Sequence, residues 1–497
     1  MTGTVYRMPV DPRTPVLVGA GTATQRFDDP SDGLEACALM AAACRAAADD
    51  AGAPGLLPRA DLVLVPEGTW HYGDAGRLVA SAVGAAHART VNAKQGVLQT
   101  TLIERAASAI QRGAADVALV VGGEAKWRDL RATITGVPAP VTEQHSVQAD
   151  DILAPHGALI SRAEIDAGLV TAVGQYAMIE HARRAADGQS VQEHADLVAR
   201  LWESFNRVAQ GNPYAWNRAP MTAAEIATPG PRNRPLATPY LKWHNSQWNV
   251  DQAACLLLCS ADVARGAGVP TDRWVFPELV AWSDHMVPVT ERALIHRAPG
   301  FAIAGRVALE HVGAGIDDIA YLDLYSCFPI AVRTQALELG IDPFGDRPLT
   351  VTGGMTFAGG PLNNYVLQST AKMAGVLRAE PTARGMVTAI SAMITKQGVS
   401  LWSCQPPERD FRGIDVSTPV DAATARVTVR QEKGTARVVT YTVLHDPAGE
   451  PTRAVVLTEW DDGARALATS ESHAEAMASA EWAGRAVELD GQGGFSA

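Results

Sequence analysis

Apolar and polar positions alternate in regular blocks over the first 125 residues. Apolar runs of strand length at 15–21, 60–69, 89–93 and 115–123 predict buried strands. Between them, amphipathic runs predict helices at 77–84 and 97–112, and an alanine-rich helix that begins at Ser31–Asp32, with Asp32 and Glu35 as a capping box, and ends at Gly52. This alternation predicts a layered α/β domain with mostly parallel strands.

The same order of elements recurs further along the chain. Residues 274–282 predict a strand. Residues 299–328 predict a helix, a glycine stop, an acidic turn and a second strand, and this order matches that of residues 34–66. A last strand at 385–394 matches the one at 115–123. Two α/β halves of similar order indicate an internal duplication.

Two regions depart from this pattern. An irregular insert at 125–248 is rich in Pro, Asn, Arg and Trp, and a long insert in a compact fold is usually functional. Beyond residue 416, short β-rich runs separated by turns predict five or so strands and a small barrel of the OB type. We therefore expect domains at 1–268, with the insert as its loop domain, at 269–415 and at 416–497.

Composition narrows the possible functions. The net charge of −12 gives no basic footprint for nucleic acid, so we expect no nucleic-acid partner. No run of 18 apolar residues predicts a membrane span, and the first residues show no apolar signal core, so we expect a cytoplasmic protein. The first strand is glycine-rich, but Thr24 stands where a dinucleotide-binding GxGxxG motif needs its third glycine.

The six cysteines lie scattered in apolar stretches. Their spacing matches neither a zinc site nor a disulfide framework, so we expect no metal. Cys255 and Cys259 in ACLLLCS are interpreted as small buried side chains.

Four motifs in order resemble the thiolase superfamily, and in particular its sterol-carrier-type branch. They are NPYAWNRAPM from residue 212, NVDQAACLLLCSADVA at 249–264, YSCF at 325–328 and GGMTFAGGP at 353–361. The resemblance covers about residues 14–405 and implies two similar βαβαβαββ halves in five layers. The C-terminal part is similar to the OB-fold domain of small acyl-CoA-associated proteins that partner thiolase-like proteins, here fused to the body and without a zinc ribbon.

The resemblance implies a nucleophilic cysteine at a helix start, an activating histidine and a second cysteine that moves a proton. At these positions the chain has Gln95, where VNAKQG replaces a VNxxC pattern, and Gly360, where GGP replaces GHP. Tyr325 takes the place of the asparagine or histidine that begins the NEAF or HDCF motif, and the second cysteine falls near Ala392. An amide can hydrogen-bond a carbonyl oxygen but cannot form a thioester, so no catalytic residue is assigned.

Other side chains are candidates for ligand binding. The polar pocket candidates are Gln95, His244, Ser246 and Tyr325, each with a purely structural alternative. For CoA, arginine suits phosphate and an indole face suits adenine. The CoA-binding candidates in the loop domain are Trp216, Arg218, Arg232, Arg234 and Lys242.

The sequence therefore favours a protein that binds CoA or acyl-CoA, needs no other cofactor and lacks thiolase chemistry. Two alternatives stay open. The chain can be an atypical acyltransferase or decarboxylase acting on CoA thioesters, or a non-catalytic scaffold or lipid-transfer protein. Thiolases dimerise through the strand that leads to the nucleophile, here 89–94, and the sequence does not decide between a monomer and a homodimer.

Overall fold

The computed structural model describes residues 10–497, which form three sheets. The first sheet has the order β1-β8-β4-β2-β3-β5, in which β2, β3, β4 and β5 run parallel and β8 runs antiparallel to its neighbours. Its strands are β1 (Pro15–Gln25), β2 (Leu62–Pro66), β3 (Arg89–Ala93), β4 (Val117–Ala125), β5 (Asp151–Leu153) and β8 (Asp251–Ser260); β6 (Pro235–Ala237) and β7 (Tyr240–Leu241) lie in the loop domain.

Helices cover both faces of this sheet. Alternate residues of the buried strands enter two separate apolar cores, one beneath α1 and one facing the middle of the molecule. The helices are α1 (Ala36–Ala51), α2 (Ala75–Ala82), α3 (Gln99–Gln111), α4 (Lys126–Thr135), α5 (Arg162–Asp166), α6 (Ala172–Ala186), α7 (Val191–Gln210), α8 (Ala223–Ala227) and α9 (Ala261–Gly266).

The second half repeats the first. Its sheet order β10-β11-β12-β9 corresponds to β2-β4-β8-β1, and β13 adds a parallel strand at the edge. The elements are β9 (Phe276–Ser283), α10 (Pro299–Val312), β10 (Tyr321–Asp323), α11 (Pro329–Leu339), α12 (Gly354–Phe357), α13 (Tyr365–Ala379), β11 (Arg384–Ser391), β12 (Lys396–Ser403) and β13 (Arg412–Asp415). Helices α3 and α13 contact both sheets, so they form the middle layer. The predicted duplication and five-layer α/β fold are confirmed.

The C-terminal part is β-rich, as predicted. Its sheet has the order β16-β15-β14-β17-β18, and β14 also pairs with β6 of the loop domain through Leu444 and Ala237. The elements are α14 (Ser417–Ala423), β14 (Lys433–His445), β15 (Pro451–Glu459), β16 (Arg465–Ser470), α15 (Ala474–Ala478), β17 (Ala486–Asp490) and β18 (Phe495–Ser496).

The start of α1 differs from the expectation, and the edge of β3 has a strand partner that the sequence analysis did not predict. The capping box at Asp32 is wrong: α1 begins at Ala36, and Glu35 makes no side-chain cap because its carboxylate accepts hydrogen bonds from Tyr72 and Thr142. The outer edge of β3 is paired with β5 of the same chain. Within residues 10–497, no helix has the length and apolar character needed to cross a membrane.

Candidate functional site

The turn before α3 carries the position where a thiolase nucleophile is expected. Gln95 is exposed there, and its backbone N–H donates to Glu67 Oε2 at 3.3 Å. The neighbouring Lys94 Nζ forms a 2.6 Å ion pair with Glu67 Oε1. Gln95 is therefore open to solvent, and its expected role as a polar anchor for a thioester oxygen stays a prediction.

The turn at Gly360 is closely approached by the side chains of Ser246 and Met355. The Gly360 N–H donates to the carbonyl of Gln247 at 2.9 Å, which draws residues 246–247 against the turn. A Cβ atom on Gly360 would stand 1.9 Å from Ser246 Oγ and 3.1 Å from Met355 Cε. Ser246 is itself held by its N–H, which donates to the Cys327 carbonyl at 3.0 Å. Ser246 therefore fills the space that a histidine at residue 360 would need.

Three amides, which we call the amide cluster, lie where α3 and α13 begin: the buried Gln99 and Asn364 and the half-buried Asn363. Gln99 Nε2 donates to Asn363 Oδ1 at 2.5 Å, so the two helix starts are joined. Gln99 Oε1, Asn363 Nδ2 and both amide atoms of Asn364 are buried without a partner among residues 10–497. Sequence reasoning missed this cluster, although two adjacent asparagines directly before a helix were a visible signal.

Tyr325 and Ala392 lie on buried turns of the second half. Tyr325 is 8% exposed, its ring packs edge-to-face on Tyr365 with centroids 5.8 Å apart, and burial raises its pKa well above the ordinary value. Ala392, Met393 and Ile394 occupy three consecutive left-handed positions, with φ of 51°, 51° and 67°. These apolar side chains offer no acid or base at the position expected for the second cysteine.

Five of the six cysteines offer no reactive thiolate. Burial raises the pKa of Cys37 to about 11 and that of Cys259 and Cys327 to about 12. Burial also raises the pKa of Cys255 and Cys404. Because the thiolate is the nucleophilic form, these five side chains are unreactive at neutral pH.

The two CoA candidates nearest the NPYA segment have different surroundings. Trp216 is buried, its ring lies 4.9 Å from the Arg26 guanidinium and 5.9 Å from the Trp127 ring, and so it offers no free face to an adenine. Arg218 is exposed and donates to the Gln210 carbonyl.

The other three CoA candidates lie together. The Lys242 N–H donates to the Arg234 carbonyl at 3.0 Å, and both Lys242 and Arg232 are exposed. Arg234 is half-buried, and its guanidinium donates to the Asp446 carbonyl of the C-terminal domain at 3.2 Å. We call Arg232, Arg234 and Lys242 the cationic patch.

Ser246 contacts the Gly360 turn, whereas His244, two residues earlier, lies in different surroundings. The ring is 5% exposed, its Nδ1 accepts a hydrogen bond from the Leu241 N–H at 3.2 Å, and burial lowers its pKa to about 4. It lines a cavity of about 340 Å³ shared with His445 of the C-terminal domain. The expected grouping of His244 with Ser246 is therefore not found.

Comparisons with known proteins agree with this architecture. Residues 415–493 match the family described as the thiolase-like protein type 1 additional C-terminal domain. The chain is similar to a monomeric SCP2-thiolase-like protein type 1 from Mycobacterium smegmatis, with 28% identity over 98% of this chain and 100% of that one, at a TM-score of 0.81.

More distant structures share the fold alone. The Ltp2-ChsH2(DUF35) aldolase is 20% identical over 79% of this chain and 99% of its own, with a TM-score of 0.61. The dimeric peroxisomal thiolase of Saccharomyces cerevisiae is 16% identical over 79% and 98%, with a TM-score of 0.55. No match was found among curated proteins.

Proposed function

We propose that this chain, which belongs to the thiolase superfamily and carries the additional C-terminal domain of type 1 thiolase-like proteins, binds CoA thioesters without performing thiolase chemistry. The contact between Ser246 and the Gly360 turn carries this proposal. A Cβ atom at residue 360 would lie 1.9 Å from Ser246 Oγ, so a side chain there would require Ser246 to move, and the glycine itself supplies no base. Without a base, a thiol at the opposite turn would stay protonated.

The amide cluster supports binding of a thioester carbonyl. Asn363 Nδ2 and Asn364 Nδ2 are buried N–H donors without a partner among the described residues. They lie at the N-terminus of the 15-residue helix α13, and Gln99 joins them to the N-terminus of the 13-residue helix α3, where the helix dipoles favour partial negative charge. A thioester oxygen placed here would gain hydrogen bonds but would meet no nucleophile.

The cationic patch supports the phosphate end of the ligand. Arg232 and Lys242 are exposed and available for phosphate, while Arg234 is already engaged by the Asp446 carbonyl. We assign phosphate binding to Arg232 and Lys242 and a positioning role to Arg234.

Calorimetric titration with acetyl-CoA and with CoA tests the proposal. We expect binding in the micromolar to millimolar range, which corresponds to about 4 to 8 kcal/mol. Acetyl-CoA should bind more tightly than CoA because only acetyl-CoA has a thioester carbonyl, which can accept hydrogen bonds from the amide cluster. Absence of binding for both ligands would favour the scaffold alternative.

Turnover assays separate binding from catalysis. Acetoacetyl-CoA with CoA should yield no acetyl-CoA, and malonyl-CoA should not be decarboxylated. Thiolysis at enzymatic rates would refute the proposal, and release of CO2 from malonyl-CoA would favour the decarboxylase alternative.

We also propose that the chain is a monomer. Strand β3, the strand through which thiolases dimerise, has its outer edge covered by β5 through the pairs Val91–Asp151, Asn92–Ile152 and Ala93–Leu153. A second copy cannot pair with an edge that is already hydrogen-bonded. Light scattering should give the mass of one chain, 52.4 kDa.

A further inference from the structure

The cavity beside His244 lies between the loop domain and the C-terminal domain, and we call it the interdomain cavity. Its volume of about 340 Å³ falls near the lower end of the range of natural small-molecule pockets. One wall comes from α7 and the segment 235–244, and the opposite wall comes from His445, Ala478 and Ser479. Because both domains supply walls, the cavity exists only in a chain that carries the C-terminal domain.

One buried donor in this wall is unused. Because Nδ1 of His244 accepts the Leu241 N–H, the ring proton sits on Nε2. Nε2 has no partner among residues 10–497, although the side chain is only 5% exposed. Buried N–H donors are almost always paired, and a turn of the ring toward the cavity that His244 lines would bring this one to an acceptor atom of a ligand.

The other three ring side chains of the wall are already engaged. Tyr240 Oη donates to Glu180 Oε2 at 2.7 Å, and His194 Nε2 lies 2.8 Å from Glu180 Oε1. His445 Nε2 lies 2.9 Å from Thr238 Oγ1. A ligand therefore needs a single acceptor, for the unpartnered imidazole.

The charges around the cavity disfavour an anionic ligand. No lysine or arginine stands in the described wall, which is otherwise mainly aliphatic, with Val191, Ala195, Val198, Pro235 and Leu241. Burial by itself would raise the pKa of Glu180, but Arg333 and His194 outweigh it and lower the pKa to about 2. Glu180 is thus ionised behind the wall, but Arg333 balances its charge, so a carboxylate in the cavity would be desolvated without a counter-charge in the lining.

We propose that the interdomain cavity binds a neutral, mainly aliphatic carbonyl compound, a medium-chain ketone or ester, whose oxygen accepts a hydrogen bond from His244 Nε2. The volume suits a ligand of about ten non-hydrogen atoms. This binding is independent of the CoA site, because neither the Gly360 turn nor the amide cluster contributes to the wall.

Titration of the full chain with 2-heptanone tests this proposal. We expect saturable binding by calorimetry, and the carbonyl stretch of the ¹³C-labelled ketone should move to lower frequency because its oxygen is hydrogen-bonded. Octanoate should bind at least about tenfold more weakly because its carboxylate has no counter-charge.

Three variants locate the ligand. His244→Phe keeps a ring but removes the N–H, so affinity should fall about tenfold and the carbonyl stretch should return to its unbonded position. Ala478→Trp fills the cavity from the C-terminal domain and should abolish binding. Glu475→Trp, on the same helix α15 but exposed and outside the wall, is the matched control and should bind as the wild type does.

Three results would overturn the proposal: a folded wild-type chain that shows no saturable binding of 2-heptanone, equal binding by the wild type and Ala478→Trp, and octanoate binding as tightly as the ketone. Retained binding with an unshifted carbonyl stretch in the wild type would exclude the His244 contact.

Discussion

The Gly360 turn and the interdomain cavity lie on either side of the same short segment and differ in the space they offer. Ser246 Oγ occupies the place of a side chain at residue 360. Two residues earlier, His244 lines a cavity of about 340 Å³. Side chains pack closely against the turn on one side, while the meeting of two domains leaves an open cavity on the other.

The two regions also differ in charge. The amide cluster is neutral, and the thiol of Cys327, in the loop joined to Ser246, stays protonated because burial raises its pKa to about 12. Behind the cavity, Glu180 is ionised and paired with Arg333. A site without charge suits a thioester oxygen, whereas the ionised network fixes His194 and Tyr240 in the wall of the cavity.

The largest expected effect is that of Gly360→Ala. The new Cβ would collide with Ser246 Oγ unless Ser246 moves, and overpacking of this kind costs about 1 to 3 kcal/mol. The melting temperature should drop by several degrees, and Gly360→Ala with Ser246→Gly should recover most of the loss. An unchanged melting temperature for the single variant would mean that the turn is not closely packed.

The next largest effect is the dependence of stability on pH through His244. Its pKa is lowered from 6.5 to about 4 by burial, with Glu180 and His194 contributing in opposite directions. Protonation therefore favours the unfolded chain, and stability is lost as the pH falls below about 6.5, with the loss complete near pH 4.

At pH 5 this loss amounts to about 2 kcal/mol. Melting curves at pH 7.5 and pH 5 should show a smaller decrease for His244→Phe than for the wild type. His87→Phe, at an exposed position, is the control and should keep the full decrease. Identical decreases for all three proteins would contradict the assignment.

Asn364→Leu should have smaller effects: the chain should become more stable, and acetyl-CoA should bind more weakly. Removing two buried, unpartnered amide atoms should stabilise the chain by about 1 kcal/mol. Affinity for acetyl-CoA should fall about tenfold by calorimetry, while affinity for CoA stays unchanged. Equal losses for both ligands would place the amide away from the thioester.

The smallest expected effect is that of Gln95→Cys. The side chain at residue 95 is exposed, so stability should change by less than about 0.5 kcal/mol. Thiolysis of acetoacetyl-CoA should stay undetectable because the Gly360 turn supplies no base. Measurable turnover would show that a nucleophile alone is sufficient.

Much of the fold was predictable because its strands and helices are long and strongly periodic. The repeated order of elements and the β-rich C-terminal part appear in the pattern of apolar residues alone. The start of α1 was not predictable in the same way, since Glu35 is drawn to Tyr72 and Thr142, 37 and 107 residues away in the chain.

The residue types of the candidate site were predictable from the sequence, but the surroundings of each side chain were not. Sequence motifs locate Gln95 and Gly360, yet only the structure shows that the first faces solvent and that Ser246 fills the space at the second. The amide cluster escaped notice because Gln99 and Asn363 are 264 residues apart and meet only when the two middle helices pack.

The sequence by itself determined which chemical groups the protein has at the positions where the resemblance to thiolases leads us to expect catalytic groups: Gln95, Tyr325, Gly360 and Ala392. Local periodicity and side-chain chemistry are properties of the chain, so they can be seen without coordinates. Only the tertiary structure decided where space remains, because the room beside Gly360 and His244 depends on atoms brought together from distant segments by packing.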